Sequence, residues 1–298
     1  KIAEAIGAVE ADIIFTSGAT ESAALALAGR DIVCSRLEHE AVTSWCSAKL
    51  SADRLGIVEI KEPQQSALQV ANSETGIMQK HVQGIWLSDM TQAFGKVSLA
   101  FNWHGCHCAM ISAHKVGGPK GVGALIVKRG TDLAAHIKGG GQEMGRRSGT
   151  ENVIGIVGFG AAAEAAQKDL VNGEWEKISE FRMILENMIE EFSDVPILVG
   201  RDSNRLPNTT CLITPGWKGE TQVMQMDLEG IAVSAGSACS SGKVKSSDVL
   251  QAMGFSENQA SCALRVSLGL ETTRDEVLRF ADTWVKKFVS NSKRKNNI

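Results

Sequence analysis

The sequence predicts an α/β protein with a large domain built on a mainly parallel sheet and a smaller α+β domain. In the first half of the chain, short apolar runs alternate with Ala-rich or amphipathic stretches, as strands and helices do in parallel sheets. From about residue 152 to 192 the pattern changes to two long stretches of helical periodicity, followed by shorter strands and helices. We therefore place the large domain at 1–160 and the small domain at 161–298.

The predicted elements of the large domain are short and closely spaced. Strands are predicted at "DIIF", "DIVCS", "GIWLS", "HCAMIS" and "GALIVK", and helices at "TESAALALAG" and "EAVTSWCSAKL". Two long helices follow, at "NVIGIVGFGAAAEAAQKDL" and "EWEKISEFRMILENMIEEF". Beyond them we predict strands at "NTTCLIT", "IAVSAGS" and "ALRVSLG", and helices at "TQVMQMDLEG" and "RDEVLRFADTWVKKFV".

Composition and charge narrow the class of protein. The chain has 298 residues, of which 43% are apolar and 22% charged, so it can bury a sizeable core. The net charge of -3 predicts no broad nucleic-acid surface. No apolar run approaches a membrane span, and the N-terminus lacks the pattern of a signal peptide. We expect a cytoplasmic protein that binds neither nucleic acid nor membrane.

The seven cysteines are odd in number and scattered, which predicts reduced thiols rather than a disulfide scaffold. Four lie in apolar runs and are expected to be core thiols: Cys34, Cys46, Cys211 and Cys262. The motif "WHGCHCAM" contains ligand types that zinc prefers. If 106–111 is a strand, however, Cys106 and Cys108 face one side and His107 the other. We therefore expect no metal site.

The segment "ISAHKVGGPKGVGAL" places Ser112, His114 and Lys115 at a Gly-rich turn after a predicted strand. A solvent-exposed lysine is one interpretation. The other is a lysine that forms an imine with pyridoxal 5'-phosphate (PLP), because desolvation and nearby cations make the amine nucleophilic. PLP also requires a phosphate site, an acid facing its pyridine nitrogen and a flat group on its ring.

Candidates for these three partners occur elsewhere in the chain. In "FTSGATES", Gly18 allows a tight turn, and Ala19 and Thr20 can face a phosphate at a helix N-terminus; an ordinary N-capped turn is the alternative. Asp89 ends an apolar strand, where it can keep a pyridine nitrogen protonated or cap a helix. His39 follows a strand and can stack on a ring or serve as a structural hydrogen-bonding group.

Taken together, these segments resemble the NifS/IscS-like cysteine desulfurases, which are PLP enzymes of fold type I in the class V aminotransferase group. The motifs follow one another over essentially the whole chain. In order they are "FTSGATES", "LEHEAV", "ANSETG", "SDMTQAFGK", "SAHKVGGPKGVGAL", "GGGQEMGRRSGTENV", "VSAGSACSSG" and "ALRVSLG". The resemblance implies PLP as the cofactor.

The resemblance also implies a role for each matched cofactor residue. Lys115 matches the lysine that forms the imine, Asp89 the partner of the pyridine nitrogen, and His39 the residue stacked on the ring. Gln92 matches a residue that hydrogen-bonds the phenolic oxygen of PLP. Ser73 occupies a second position whose residue in the family contacts the same oxygen. The matched phosphate binders are Ala19, Thr20, Ser112, His114 and Thr150. In the family, the residue at the last of these positions reaches the phosphate of the neighbouring subunit, which implies a homodimer.

For the substrate, Arg265 matches the arginine that binds the carboxylate of L-cysteine, a task suited to its bidentate guanidinium, and Asn72 is placed beside the substrate. Cys239 matches the nucleophile that takes the sulfur. The implied reaction converts L-cysteine to L-alanine and leaves a persulfide on Cys239. This sulfur then passes to an acceptor or scaffold protein for iron–sulfur cluster assembly.

Two alternatives to the desulfurase remain open from the sequence. One is a related PLP enzyme, a selenocysteine lyase or an aminotransferase, and the other is a non-catalytic shortened homologue. The loop around Cys239 favours a desulfurase over an aminotransferase, because a transaminase has no use for a mobile thiol.

The chain departs from the family pattern in three places. Ser73 stands where the family has Asn, so a shorter hydroxyl faces the phenolic oxygen. The chain starts just before "FTSGATES" and lacks the usual N-terminal segment. The stretch between Thr20 and Asp89 is shorter than expected, with little room for a helix between "GIMQ" and "GIWLSD".

Overall fold

The structure is a computed structural model that describes residues 1–236 and 246–296. Backbone contacts divide the chain into two compact units. The first contains 1–52, 57–72 and 78–173, and the second contains 53–56, 73–77 and the chain from Glu174 onward.

The first unit contains helices α1 to α5 and strands β1 to β7. The helices are α1 (Ile2–Ala5), α2 (Ala19–Leu27), α3 (Glu40–Thr43), α4 (Phe101–His104) and α5 (Val153–Val171). The strands are β1 (Ala11–Thr16), β2 (Val33–Ser35), β3 (Ser47–Leu50), β4 (Ala67–Gln69), β5 (Leu87–Asp89), β6 (Cys108–Ser112) and β7 (Gly123–Lys128). Short 3-10 turns occur at Pro63–Gln65, Ala113–Lys115 and Glu143–Gly145. No helix forms between Gln79 and Trp86, as the short connection there predicted.

The main sheet of the first unit has the strand order β1-β7-β6-β5-β4. Strands β4, β5 and β6 are parallel, and β2 pairs in parallel with β3. Strand β7 runs antiparallel to both β6 and β1. The prediction of a mainly parallel sheet is confirmed, because β1, β4, β5 and β6 run in one direction and β7 runs opposite to them. The connection from Ser112 to Gly123 is too short for a crossover helix, which needs about a dozen residues or more.

The core of the first unit lies between α2 and the sheet. Buried apolar side chains from the helix meet side chains from six strands, and the cluster includes Leu27, Ile14, Leu87, Met110 and Leu125. Because β6 and β7 are buried along nearly their whole length, their sequences are nearly continuous apolar runs rather than alternating ones.

The prediction of a helix over "EAVTSWCSAKL" is wrong for most of that stretch. Helix α3 covers four residues and ends at the C-cap Ser44. The chain then extends as β3, where the Ser47 N–H donates to the Ile32 carbonyl at 3.0 Å and Val33 pairs with Ser47. Pairing with β2 thus outweighs the helical periodicity of the sequence.

The second unit is α+β. Its helices are α6 (Glu174–Phe192), α7 (Gly219–Asp227), α8 (Asp248–Ala252), α9 (Glu257–Ala260) and α10 (Arg274–Asn296). Its strands are β8 (Ile197–Leu198), β9 (Thr209–Ile213), β10 (Ser234–Ala235) and β11 (Ala263–Ser267), in the antiparallel order β10-β11-β9-β8. Helix α10 packs on α6. In the core of this unit, aromatic rings contact one another, including those of Trp217, Trp284 and Phe288.

One early segment of the chain belongs to this second unit. Ile77 forms a β-bridge with Arg205, and the Leu206 N–H donates to the Gly76 carbonyl at 2.8 Å. Together with 53–56, the segment Ser73–Ile77 makes the second unit discontinuous in sequence.

The predicted boundary after residue 160 falls inside α5. In the structure the division lies at Gly173, because α5 continues unbroken to Val171 and packs on α1 of the first unit. Among the described residues, no helix has the length and apolar character needed to cross a bilayer.

Candidate active site

The predicted cofactor residues of the first unit gather where its parallel strands end. Asp89 is the last residue of β5 and pairs with Met110, two residues before the end of β6 at Ser112. The 3-10 turn that follows β6 carries His114 and Lys115. Ligands of open α/β sheets bind outside the carboxyl ends of such strands. The topology therefore places the predicted lysine and acid at one edge of the sheet.

The Asp89 side chain is half-buried, and both a hydrogen-bond donor and positive charges lie near its carboxyl group. Its Oδ1 accepts a hydrogen bond from the Thr91 N–H at 2.8 Å. Burial raises the pKa of Asp89, while the hydrogen bond from Thr91 and the charges of His39 and Lys115 act in the opposite direction. His39 and Lys115 are thus close enough to influence Asp89, as expected if all three face one ligand.

His39 is held at the start of α3 by its own ring. As the N-cap residue it accepts a hydrogen bond at Nδ1 from the Ala41 N–H at 3.1 Å, so Nε2 carries the proton when the ring is neutral. Two side chains at the end of β4 and just after it hold the turn that precedes His39. The Gln69 and Asn72 side-chain amides donate hydrogen bonds to the Leu37 carbonyl at 2.9 and 3.0 Å. Asn72, predicted to bind substrate, therefore also orients the segment that carries His39.

Glu38 was missed by the sequence analysis. Its side chain is buried, and Oε1 accepts the Gln69 N–H at 2.8 Å. Among the described residues, Oε2 has no hydrogen-bond partner. Burial, and after it the Asp89 charge, raises the pKa of Glu38 to about 8. No local sequence pattern distinguishes this glutamate from an exposed one, because the effect depends on contacts with β4 and β5.

The turn before α2 has the features of a phosphate site. The N-cap residue Gly18 has no side chain that could cap the helix, so the first amides of this nine-residue helix remain open to an anion. A Cβ at Gly18 would lie 3.7 Å from Ser112 Oγ, and that hydroxyl hydrogen-bonds His114 Nδ1 at 3.0 Å. Ala19 and Thr20 open the helix beside them. The donors predicted to bind phosphate within one subunit therefore converge.

Close packing fixes the position of this turn. A Cβ built on Gly123, the first residue of β7, would lie 2.6 Å from Gly18 Cα and 2.8 Å from the Ile111 carbonyl oxygen. The Thr16 hydroxyl bonds the Ser22 hydroxyl at 2.8 Å and donates to the Gly18 carbonyl at 3.0 Å. Packing and hydrogen bonds within the protein therefore hold the turn in this shape, and its donor set fits PLP.

A second lysine lies close to Lys115. Lys96, in the turn region after β5, donates from Nζ to the Gln92 carbonyl at 2.7 Å. Burial and the nearby charge of Lys115 lower the pKa of Lys96 to about 8. Lys96 was missed because "FGK" gives no sign of burial, whereas Gln92 was identified through the motif that contains both residues.

Thr150 lies in an exposed segment before α5. The neighbouring Gly149 N–H donates to the Gln142 side chain at 3.0 Å, which closes the Gly-rich loop on itself. The cross-subunit contact predicted for Thr150 stays a prediction.

Two other predicted residues belong to the second unit. Arg265 on β11 donates from Nη1 to the Ser73 carbonyl at 3.0 Å, and its buried Nε has no partner among the described residues. Next to Ser73, the Glu74 carboxylate accepts from the Ser247 hydroxyl at 2.5 Å. Burial raises the pKa of Glu74 to about 7, against the opposing effects of Ser247 and Arg265.

Cys239 lies outside the described residues. Of the predicted core thiols, Cys34, Cys211 and Cys262 are buried, whereas Cys46 is only partly buried. Cys106 and Cys108 are also buried, and His107 instead stacks on Trp86, with ring centroids 5.4 Å apart. Over 1–236 and 246–296 no group of three or more His, Cys, Asp or Glu side chains is arranged to hold a metal ion.

The chain is similar to known proteins. The aminotransferase class-V family model matches residues 70–280. The chain is 36% identical over 313 residues to cysteine desulfurase IscS of Dictyoglomus turgidum, and the match covers 93% of this chain and 79% of that protein. It is 38% identical over 314 residues to a cysteine desulfurase of Sinorhizobium fredii, with 93% and 81% coverage.

Solved structures of NifS-like and related proteins are also similar to this chain. The X-ray structure of a NifS-like protein from Rickettsia africae has a TM-score of 0.86 and 28% identity, covering 96% of this chain and 85% of that one. A structure described as SspA in complex with cysteine has a TM-score of 0.71 and 28% identity, with 91% and 85% coverage.

Proposed function

Because the chain belongs to the cysteine desulfurases, PLP-dependent enzymes of the class V aminotransferase family, we propose that it converts L-cysteine to L-alanine and passes the sulfur to an acceptor protein through Cys239. The observation that carries the proposal is the position of Lys115 in the turn after β6. There it shares the carboxyl edge of the sheet with Asp89 and lies close enough to influence its pKa.

The residues at this edge would hold the cofactor at both ends. The α2 amides, Ser112 and His114 would bind the phosphate, and the Asp89 carboxylate would keep the ring nitrogen protonated. The His39 ring would pack on the cofactor face, and the Gln92 side chain would bind the phenolic oxygen. When bound, PLP supplies an electron sink that stabilises negative charge at the substrate Cα.

Lys115 would both attach the cofactor and move the substrate α-proton. The neutral amine of a lysine is a base that can accept this proton. Lys96 is a second amine in the same region, since the charge of Lys115 contributes to lowering the pKa of Lys96.

Substrate binding would fall to Arg265 and Asn72. The guanidinium of Arg265 is held on one side by the Ser73 carbonyl and keeps further donors for the carboxylate of L-cysteine. Asn72 precedes Ser73 and would help to align this segment. With Ser73 in place of the family's asparagine, one hydroxyl would replace an amide at the phenolic oxygen.

Cys239 would take the sulfur. Its thiolate would attack the substrate sulfur, and the C–S bond would break with its electron pair left on carbon, which is then protonated to give alanine. The persulfide on Cys239 would pass its terminal sulfur to the thiol of an acceptor or scaffold protein. We place this transfer in iron–sulfur cluster assembly in the cytoplasm, with a homodimer in which Thr150 reaches the phosphate of the neighbouring subunit.

The test uses Lys115→Ala and Cys239→Ala with Cys106→Ala as the matched control. The Cys239 variant should keep the yellow colour of bound PLP but form no sulfide and no persulfide from L-cysteine. The Lys115 variant should lose the borohydride-fixed label and all turnover. Cys106→Ala should retain turnover, because that thiol is buried away from the proposed chemistry. Normal sulfide release by Cys239→Ala would contradict the proposal.

A further inference from the structure

The Gly-rich segment before α5 is tied back to the phosphate turn by an ion pair. Arg147 donates from Nε to Glu21 Oε1 at 2.7 Å and from Nη2 to Oε2 at 3.3 Å. The same Oε2 accepts the Ser17 N–H at 2.7 Å. Glu21 therefore connects Arg147 directly to the backbone of the turn that precedes α2.

This ion pair is shielded and has a second anchor nearby. The Glu21 and Arg147 side chains are only 18% and 24% exposed, so water screens their attraction less than at an open surface. The Glu143 carboxylate accepts the Phe15 N–H of β1 at 3.2 Å. Behind the turn, a cavity of about 110 Å³ is lined by residues that include Ser17 and Arg147.

Glu21 stands at a position where its charge has two opposite effects. A carboxylate in the first turn of a helix is favoured by the helix dipole. The same carboxylate repels a phosphate dianion bound at the same helix end. An arginine that neutralises Glu21 removes the repulsion and leaves the hydrogen bond to Ser17 in place. Although burial works against it, the pKa of Glu21 lies below its ordinary value because of Arg147 and Ser17.

We propose that Arg147 is a positioning residue for the PLP phosphate. It holds Glu21 against the Ser17 N–H and cancels its charge, so that the turn Ser17–Thr20 keeps its shape and accepts a dianion. The inference rests on the proposed function, since it takes this turn to be the phosphate site. It assigns to the Arg147–Glu21 pair a role in cofactor affinity rather than in the chemistry of sulfur transfer.

The neighbouring arginine provides a matched control. Arg146 donates from Nη2 to Asp12 Oδ2 at 2.6 Å, so it too links the Gly-rich segment to β1. Its carboxylate partner lies at the start of β1, at the opposite end of the strand from the phosphate turn. Arg146→Met removes a comparable ion pair without exposing a charge at the phosphate turn.

The experiment measures PLP affinity by absorbance titration of the PLP-free protein in the wild type, Arg147→Met, Arg147→Met/Glu21→Gln and Arg146→Met. Arg147→Met should bind PLP about tenfold more weakly, the loss expected for one charged hydrogen-bonding group. The double variant should recover most of this loss, because Glu21→Gln removes the unpaired charge. Arg146→Met should bind PLP as the wild type does.

A second titration uses pyridoxal, which forms the same bond with Lys115 but has no phosphate. All four proteins should bind pyridoxal equally. The proposal is overturned if Arg147→Met binds PLP normally, if it loses pyridoxal and PLP to the same extent, or if Glu21→Gln restores nothing. A wild-type protein that binds neither compound would instead contradict the proposed function, and with it this inference.

Discussion

Glu38 is buried beside Asp89, and burial together with the Asp89 charge raises the pKa of the Glu38 carboxyl to about 8. Glu38 therefore carries a proton at neutral pH, directly before the residue that would stack on the cofactor. A neutral acid at this position avoids a second negative charge next to the carboxylate that faces the pyridine nitrogen.

This arrangement predicts a pH-dependent stability that Glu38→Gln removes. The ordinary pKa of a glutamate is 4.5, so between about pH 4.5 and 8 the folded state binds a proton that the unfolded state has lost. Wild-type stability should therefore fall as pH rises through this window. The amide of Gln does not titrate, so the variant should gain about 2–3 kcal/mol relative to wild type between pH 5.5 and 8.5.

Urea unfolding of the PLP-free protein at both pH values measures this difference. Glu40→Gln, an exposed neighbour on α3, is the control and should leave the wild-type slope unchanged. Parallel pH profiles for wild type and Glu38→Gln would show that Glu38 is ionised throughout.

Gly123→Ala should displace the phosphate turn. The added Cβ would meet Gly18 Cα at 2.6 Å and the Ile111 carbonyl oxygen at 2.8 Å, and neither backbone atom can move without shifting a strand or the turn. We expect at least tenfold weaker PLP binding and a stability loss of about 1–3 kcal/mol. Absorbance titration and thermal unfolding measure the two effects.

The control is Gly160→Ala in α5, where the new Cβ would make only ordinary contacts, the shortest at 3.7 Å to the Lys1 side chain. It should bind PLP normally and be as stable as wild type or slightly more so, because Ala is the better helix former. Equal PLP affinity in the two variants would mean that the Gly18 turn tolerates displacement.

Glu186→Ala should strongly destabilise the second unit. The Glu186 carboxylate is fully buried and accepts two hydrogen bonds from Arg205 and one from Thr210, all at 2.8 Å. Its removal leaves a buried guanidinium without its partner, which costs about 3–5 kcal/mol. Glu190→Ala breaks an exposed pair with Arg201 and should cost less than about 1 kcal/mol. Denaturant unfolding of both variants tests the contrast, which two similar losses would refute.

Cys46 should be the first of the described cysteines to react with iodoacetamide. A hydrogen bond with the Cys34 thiol lowers the pKa of Cys46, whereas burial raises that of Cys211 to about 12. In a Cys239→Ser background at pH 7.5, peptide mapping should find Cys46 labelled at least tenfold faster than Cys106 or Cys211. Equal rates at all three would contradict the expectation.

The fold class and most elements could be predicted because each has a local signal. The predicted PLP-dependent fold type I is confirmed by the NifS-like structures, and the family and cofactor are confirmed with it. The antiparallel direction of β7 and the strand at Ser47–Leu50 could not be read from periodicity. Both depend on which neighbour a strand pairs with, and pairing is a long-range property.

Some residues of the candidate site could likewise be predicted from the sequence, and others could not. Lys115, Asp89 and His39 follow strands or open turns, so their positions at the sheet edge could be inferred from the order of elements. The proton on Glu38 and the ion pair of Arg147 could not, because one results from burial and the other joins residues far apart in the chain.

The segment Ser73–Ile77 has a consequence for how the protein is made. It is synthesised early, yet its partners Arg205, Leu206 and Arg265 leave the ribosome much later. A nascent chain that has reached Gly173 contains all of the first unit. It also contains the segment Ser73–Ile77, whose partner residues in the second unit have not yet been synthesised. A fragment starting at Glu174 would lack that segment altogether. No single cut therefore yields two self-sufficient pieces, and the second unit can be completed only after the chain through Arg265 has been translated.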